Sequence, residues 1–205
     1  MRPLGGDAVE GSSFGDPVFG AQTAFRAIMR AMALPGRVER LETDVSPPKG
    51  MGPASAAVLL TLCDLDTAVW FSDADSDAAR FLRFFTDAPL VEAPGDADFG
   101  FVHPRGIFPA LSRFKRGDDQ YPDRSATLIV EVAGFEGGSP LSLTGPGIED
   151  ATVISPLGLP EDFWGQWSEN HALYPCGVDL LFTCDVSVMG LPRSVRAALG
   201  EHEVA

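Results

Sequence analysis

Lysine is nearly absent from this chain of 205 residues, which carries only Lys49 and Lys115. Covalent amine catalysis, including the Schiff base of pyridoxal phosphate, needs a lysine that sheds its proton near neutral pH through burial or cationic neighbours. Lys49 lies in the loop-like SPPKGMG and Lys115 in the polar SRFKRGDDQ, so both read as solvated surface charges and such chemistry is not expected. Histidine and cysteine are equally scarce. His103, His171 and His202 form no HxH or HxxxH pair, and Cys63, Cys176 and Cys184 are odd in number without a CxxC, which argues against a metal centre and a disulfide framework. No run approaches the ~20 apolar residues of a membrane span, and the opening MRPLGGDAVEGSSFGDP lacks the apolar centre of a signal peptide. A cytoplasmic protein without membrane attachment is expected. Cationic charge is short as well: 15 Lys and Arg against 29 Asp and Glu leave a net charge of −14, so no broad positive field exists to gather the phosphates of nucleic acid.

What is present points to a folded chain. A hydrophobic fraction of 45% with 21% charged residues fits a globular protein, and the length suits one substantial core. Residues 1–15 read as a flexible N-terminal tail and residues 16–205 as a single α/β domain. Asp16-Pro17 is a helix start, because the carboxylate can accept orphan amide hydrogens and proline fits the first turn. Ala21, Phe25, Ile28 and Met32 then recur at helical spacing as one buried face, until Pro35-Gly36 ends the helix. RVERLE alternates as a strand, PASAAVLLTLCD is apolar all round as a buried helix, TAVWFS reads as a strand, and Ser76 caps an amphipathic helix. ADFGFV, ATLIVEV, LSL, TVI, VDLLFT and SVM supply further strands. PALSRFK and LPEDFWGQWSENHALY supply helices, and one more helix is expected after Pro192. The mixture predicts an α/β fold: a mixed β-sheet with helices on both faces.

Motifs for chemistry are thin. No Gly-Lys pair exists, so the Walker phosphate loop is excluded. Gly145-Pro146-Gly147-Ile148-Glu149-Asp150 begins like the dinucleotide fingerprint but lacks its last glycine, and its two acids would repel an anion at a following helix start. Gly145 and Gly147 therefore read as a turn or close-packing corner, or as a ligand contact through exposed amides. Two acids stand in apolar surroundings, Asp64 in LLTLCDLDTAVW and Asp179 in PCGVDLLFTC. A carboxylate buried without partners is costly, so each must cap a backbone turn, pair with arginine or face a ligand. Arg193, after Pro192 at a strand end, can bind phosphate or carboxylate through two nitrogens or form a simple ion pair. Arg26 and Arg30 share one helix face. No self-sufficient catalytic constellation emerges, and no catalytic residue is assigned.

DPVFGAQTAFRAIMRAMALPGRV, AAVLLTLCDLDTAVW, LRFFTDAPLV, PDRSATLIVEV, LTGPGI, PCGVDLLFTC and LPRSVR, in this order from about Asp16 to Arg196, together resemble the PhnH family, the H subunit of the bacterial carbon-phosphorus lyase system. The resemblance implies an accessory role in phosphonate catabolism. In that chemistry alkylphosphonate displaces adenine from ATP to give ribose 1-alkylphosphonate 5-triphosphate before another subunit cleaves the carbon-phosphorus bond. It implies partner subunits G, I and J, a homodimer in isolation, ATP or phosphonate as ligand, and a fold similar to pyridoxal phosphate-dependent transferases without the cofactor. The family's motifs fall on Phe25-Arg26, Asp64, Gly145 and Gly147, Pro175, Gly177 and Asp179, and Pro192-Arg193, which makes Arg26, Asp64, Gly145, Gly147, Asp179 and Arg193 the candidate ligand or partner contacts. Phe84-Phe85-Thr86 stands where the family pattern has Phe-His-Thr, and Pro122-Asp123 where it has Pro-Glu. The alternative is a stand-alone small-molecule or nucleotide-binding enzyme whose cleft joins Arg26, Asp64, Asp179 and Arg193.

Overall fold

Alternating helices and strands can bury their apolar sides only by layering helices on a sheet. The computed structural model, which describes residues 9–73, 76–103 and 106–199, has that layering. In chain order the elements are α1 (Pro17–Ala33), β1 (Val38–Arg40), α2 (Pro53–Leu62), β2 (Val69–Phe71), α3 (Asp77–Thr86), β3 (Leu90–Val91), β4 (Phe99–Val102), β5 (Thr127–Glu131), β6 (Leu141–Thr144), β7 (Thr152–Ile154), α4 (Phe163–His171), β8 (Asp179–Cys184), β9 (Ser187–Leu191) and β10 (Arg196–Leu199). No helix among the described residues is long and apolar enough to cross a membrane.

Seven strands form one sheet in the order β1-β9-β8-β5-β4-β2-β3. It is mixed: β3, β2, β4, β5 and β8 run parallel, while β9 is antiparallel to both β8 and β1. Side chains alternate across it with the strand period of two. Ile129 and Leu181 join the core under α1, α2 and α3, whereas Leu128, Val130, Leu180 and Phe182 join the opposite core with Phe163 and Trp167 of α4. Burial on both sides explains why LIV and DLLFT read as continuous rather than alternating apolar runs. Burying Trp167 and Phe163 completely is worth about 2–3 kcal/mol each. The indole Nε1–H of Trp167 is satisfied by the carbonyl of Val195 at 3.1 Å.

Helices do cover both faces, but unevenly. Beside α4 lies a second antiparallel sheet, β10-β6-β7. The helix expected after Pro192 is instead strand β10, which pairs with β6 from Arg196↔Thr144 to Leu199↔Leu141. The open edge of β6 offers unpaired amides and carbonyls, and that tertiary demand overrides the helical leaning of RAAL. The stretch expected to be a short helix at 109–115 tightens to a single 3-10 turn, Leu111–Arg113. Two-residue β3 is too short to show periodicity. Of the expected tail, residues 1–8 lie outside the described residues, but Ser12 pairs with Ser46 and Phe14 is buried, so packing begins before Asp16.

Helix α1 starts as expected, with the Asp16 carboxylate accepting from the amides of Val18 and Phe19 at 3.1 and 3.0 Å. Its buried face is rotated from the expected one. Ala24, Ala27, Ile28 and Ala31 are buried, and Phe25 points outward. Close approach decides this: small residues let α1 sit on β9, where a Cβ at Gly190 would overlap the carbonyl of Ala31.

Gly190→Ala should therefore cost about 1–3 kcal/mol through overpacking. Gly165→Ala, inside α4 with nothing within 4 Å of the added methyl, should gain about 0.5–1 kcal/mol. Urea denaturation of both variants checks the pair, and a neutral Gly190→Ala would contradict the contact.

Candidate functional site

In an open parallel sheet covered on both faces, ligands reach the structure at the strand carboxyl ends, where neighbouring connections leave on opposite faces. That place lies between β2 and β4. From β2 the chain passes through α3, on the α1/α2 side, outward to β3. From β4 it passes through Leu111 and Phe114, which pack in the opposite core, to β5. A cavity of about 550 Å³ opens at this point. Phe71 and Phe101, the inward ends of the two strands, contribute apolar walls, and Lys49, Ser72, Asp73 and His103 contribute polar ones. A smaller cavity of about 210 Å³ shares His103 and Gly106 and continues to Glu131 at the end of β5.

Local geometry holds these groups in place. The amide of His103 donates to Ser72 Oγ at 3.4 Å, tying the two strand ends together. The Lys49–Gly52 loop runs over them. A Cβ at Gly50, whose φ is +87°, would stand 3.9 Å from His103 Nε2, and one at Gly52 would stand 3.3 Å from the Glu131 carboxylate. Glu131 Oε2 accepts from the Gly52 amide at 2.9 Å and from Ser55 Oγ at 2.7 Å, and Ser55 Oγ lies 2.8 Å from Thr183 Oγ1. Gly52 and Ser55 form the start of α2, so a carboxylate is bound where helical amides are unpaired and the helix dipole favours negative charge. An apolar floor with a histidine, an anchored carboxylate, a lysine and two further hydroxyl or carboxylate groups can hold and orient a small polar molecule. Among the described residues no three His, Cys, Asp or Glu are grouped to hold a metal ion.

In the cavity of about 380 Å³ beside α4, two of the polar lining side chains hold the protein's own backbone. Gln166 accepts from the Leu111 amide and donates to Asp162, and Asn170 bonds both polar groups of Val178.

The residues singled out from sequence sit elsewhere. Asp179 and Arg193 are brought together at the amino end of β8. Asp179 Oδ1 accepts from the Arg193 amide at 2.8 Å and its Nε at 3.0 Å, Nη2 bonds Oδ2, and Nη1 reaches the carbonyl of Pro122. Both side chains are only 15% exposed, so the guanidinium is spent within the protein. Asp64 caps a turn: it accepts from Thr67 Oγ1 at 2.7 Å and the Asp66 amide at 3.0 Å. Arg26 is exposed on α1 and makes no ion pair among the described residues. Gly145 and Gly147, at φ +145° and +83°, form a corner against Val195 and the end of α1. None of the six lines the cavities described above. Asp64 lies before β2 and Asp179 opens β8, and those two strands are three strand spacings or ~14 Å apart in the sheet. Of the two lysines, Lys49 is exposed on the cleft rim, and Lys115 is half-buried in an ion pair with Asp98 at 2.7 Å rather than free in solvent.

His103, Glu131, Ser72 and Asp73 were legible in one respect only: each follows or ends an apolar strand, in FGFVH, TLIVE and VWFSD. Gly11-Ser12-Ser13-Phe14-Gly15 has the spacing of a serine-hydrolase elbow. It precedes α1 outside the central sheet, with Ser12 pairing with Ser46 and the Gly15 amide bonding Asp44, so the strand-turn-helix setting of that motif is missing. The free thiols are Cys63, buried, and Cys176 and Cys184, half-buried.

Thr67 and, after it, the Asp66 amide hold the Asp64 carboxyl below its ordinary value. A lowered value means that this stabilising contribution is present above the unfolded-state pKa and is lost as pH falls through the folded one. Thr67→Val should move the Asp64 midpoint upward in an NMR titration; an unchanged midpoint would exclude the hydroxyl as the cause. Arg193→Met strands the Asp179 carboxylate and should cost about 3 kcal/mol in a denaturation experiment.

The description "Bacterial phosphonate metabolism protein (PhnH)" belongs to the family model that matches residues 12–198. Alpha-D-ribose 1-methylphosphonate 5-triphosphate synthase subunit PhnH of Rhizobium meliloti (strain 1021) is 44% identical over 186 residues, covering 90% of this chain and 93% of that protein. The provisionally named C-P lyase subunit protein HtxG of Stutzerimonas stutzeri is 34% identical over 186 residues, covering 88% of each. With nearly the whole chain matched and the motif order from Asp16 to Arg196 accounted for, the chain belongs to the PhnH family of bacterial phosphonate metabolism proteins.

Proposed function

We propose that this chain is an accessory subunit of the carbon-phosphorus lyase system, contributing to synthesis of ribose 1-alkylphosphonate 5-triphosphate from ATP and an alkylphosphonate. The observation that carries this is the 44% identity over 90% of the chain to a protein named as the corresponding synthase subunit. Its partners are other subunits of that system, with G, I and J as the proposed set and a homodimer as the proposed state in isolation. The accessory role is supported by how the described residues use their polar groups. Asp179 and Arg193 consume each other, and the Asp64 carboxylate is taken by Thr67 Oγ1 and the Asp66 amide.

We place substrate at the carboxyl end of the sheet, with His103, which lines both the cleft between β2 and β4 and the smaller cavity beside it, and Glu131, which lines the smaller one, as contacts, rather than at Arg26, Asp64, Asp179 and Arg193. A fold akin to the pyridoxal phosphate transferases is part of the same proposal, supported by the parallel core with its antiparallel edge. The cofactor itself does not fit: Lys115 is paired with Asp98, and Lys49 is exposed, so neither amine has the desolvated or cationic setting that frees its lone pair.

Coexpression with the presumed partner subunits tests the reading. The chain should copurify with them, turn over no ATP and phosphonate alone, and support turnover in the assembly. His103→Ala and Glu131→Gln should lower the assembled rate at least tenfold, whereas Asp64→Asn should leave it within about twofold. A folded chain that fails to copurify at low salt defeats the subunit role, and full activity of the two cleft variants defeats the cleft assignment.

A further inference from the structure

Helix α1 carries two apolar faces, and only one is used inside the chain. Ala24, Ala27, Ile28 and Ala31 are buried against the sheet. On the outer side Val18, Phe25 and Met29 recur seven and four residues apart, which aligns them along the helix; Ala33 extends the row, and Gln22 fills the turn between Val18 and Phe25 with an uncharged amide. Val18 is 82% exposed, Phe25 46% and Met29 54%, and neighbouring Phe19 is 67% exposed. Scattered surface apolar residues are ordinary, but four large ones gathered on one side of one helix form a patch.

Charge indicates what covers it. The chain holds 29 acidic residues, yet α1 from Pro17 to Ala33 contains none. Beside the apolar row, at helical positions next to Phe19, stand Arg26 and Arg30. Arg26 has no ion pair among the described residues, and Arg30 and Arg37 share the single carboxylate of Glu39 at 2.9 and 3.4 Å. An exposed helix face of an acidic protein thus presents an apolar ridge with a cationic flank. Two copies meeting about a twofold axis along this helix would set guanidinium groups against each other with no acid on α1 to compensate.

We propose that the outer face of α1 is the docking surface for another subunit of the assembly, one that offers an apolar groove edged by carboxylates. The proposal rests on the subunit role stated above. The ridge of Val18, Phe25 and Met29 enters the groove as a helix enters a peptide-binding cleft, Gln22 finds a polar group on the groove wall, and Arg26 meets the acidic edge. A single helix 17 residues long spans only ~25 Å, less surface than a stable interface needs, so the groove must also grip the Arg26 and Phe19 side of the ridge.

Capture of the coexpressed partner subunits by tagged chain, at two salt concentrations, is the test. Wild type should retain them, Phe25→Glu/Met29→Glu should reduce recovery at least tenfold, and Arg26→Glu should reduce it mainly at low salt. Circular dichroism and the thermal midpoint verify folding, and Phe25→Ala/Met29→Ala serves in its place if the charged pair does not fold. Retention by the folded double variant equal to wild type overturns this surface while leaving the subunit role intact. Failure of wild type to retain any partner removes the subunit role and the surface together. A wild-type dimer in isolation that the double variant turns into monomers makes a second copy the occupant and overturns the heteromeric proposal.

Discussion

Cover on both faces of the five parallel strands is the constraint on which the rest of the structure depends. Each central strand spends its amides and carbonyls on its neighbours and both rows of side chains on a core, so nothing polar can approach from above or below. Chemistry is left to the strand ends. Connections depart on opposite faces at β2 and β4, and the opening between them is where a cleft of about 550 Å³ forms. The same packing favours glycine at 190, because α1 reaches β9 closely enough that an added Cβ would overlap the Ala31 carbonyl.

The two edges of the parallel core use their polar groups differently. At the carboxyl edge Glu131 is tied to the start of α2 but also lines a cavity, and His103 lines two. At the amino edge Asp179 and Arg193 consume each other, with the Pro122 carbonyl taking one of the remaining donors. An ion pair buried in this way positions the β9–β10 connection; it has little capacity left for a ligand. Membership of a family through motifs at both edges does not distinguish these roles, because a residue that closes a corner and one that meets a substrate leave equally firm marks on a sequence.

Much of the architecture was legible because period and punctuation are local. Asp16-Pro17, Ser76 and the β-branched run at 127–131 predict their elements directly, and the structure has them. The α/β class and the mixed sheet follow from the same local reading. Candidate residues fared differently. Asp64, Asp179 and Arg193 stand out in the sequence as a carboxylate or guanidinium in apolar surroundings, which signals a satisfied partner without saying whether the partner is internal. Each has an internal one.

What the sequence determined by itself is the class of fold, the start of each long helix, and the family. Tertiary structure alone decided that Gly147 packs against the end of its own α1, that RAAL becomes strand β10, that Phe25 faces outward, and that His103 and Glu131 share one cleft. The division has a physical cause. Turns, caps and periodicity depend on neighbours within a few residues, whereas strand order, the rotation of a helix on a sheet and the meeting of distant side chains depend on which surfaces can come closest.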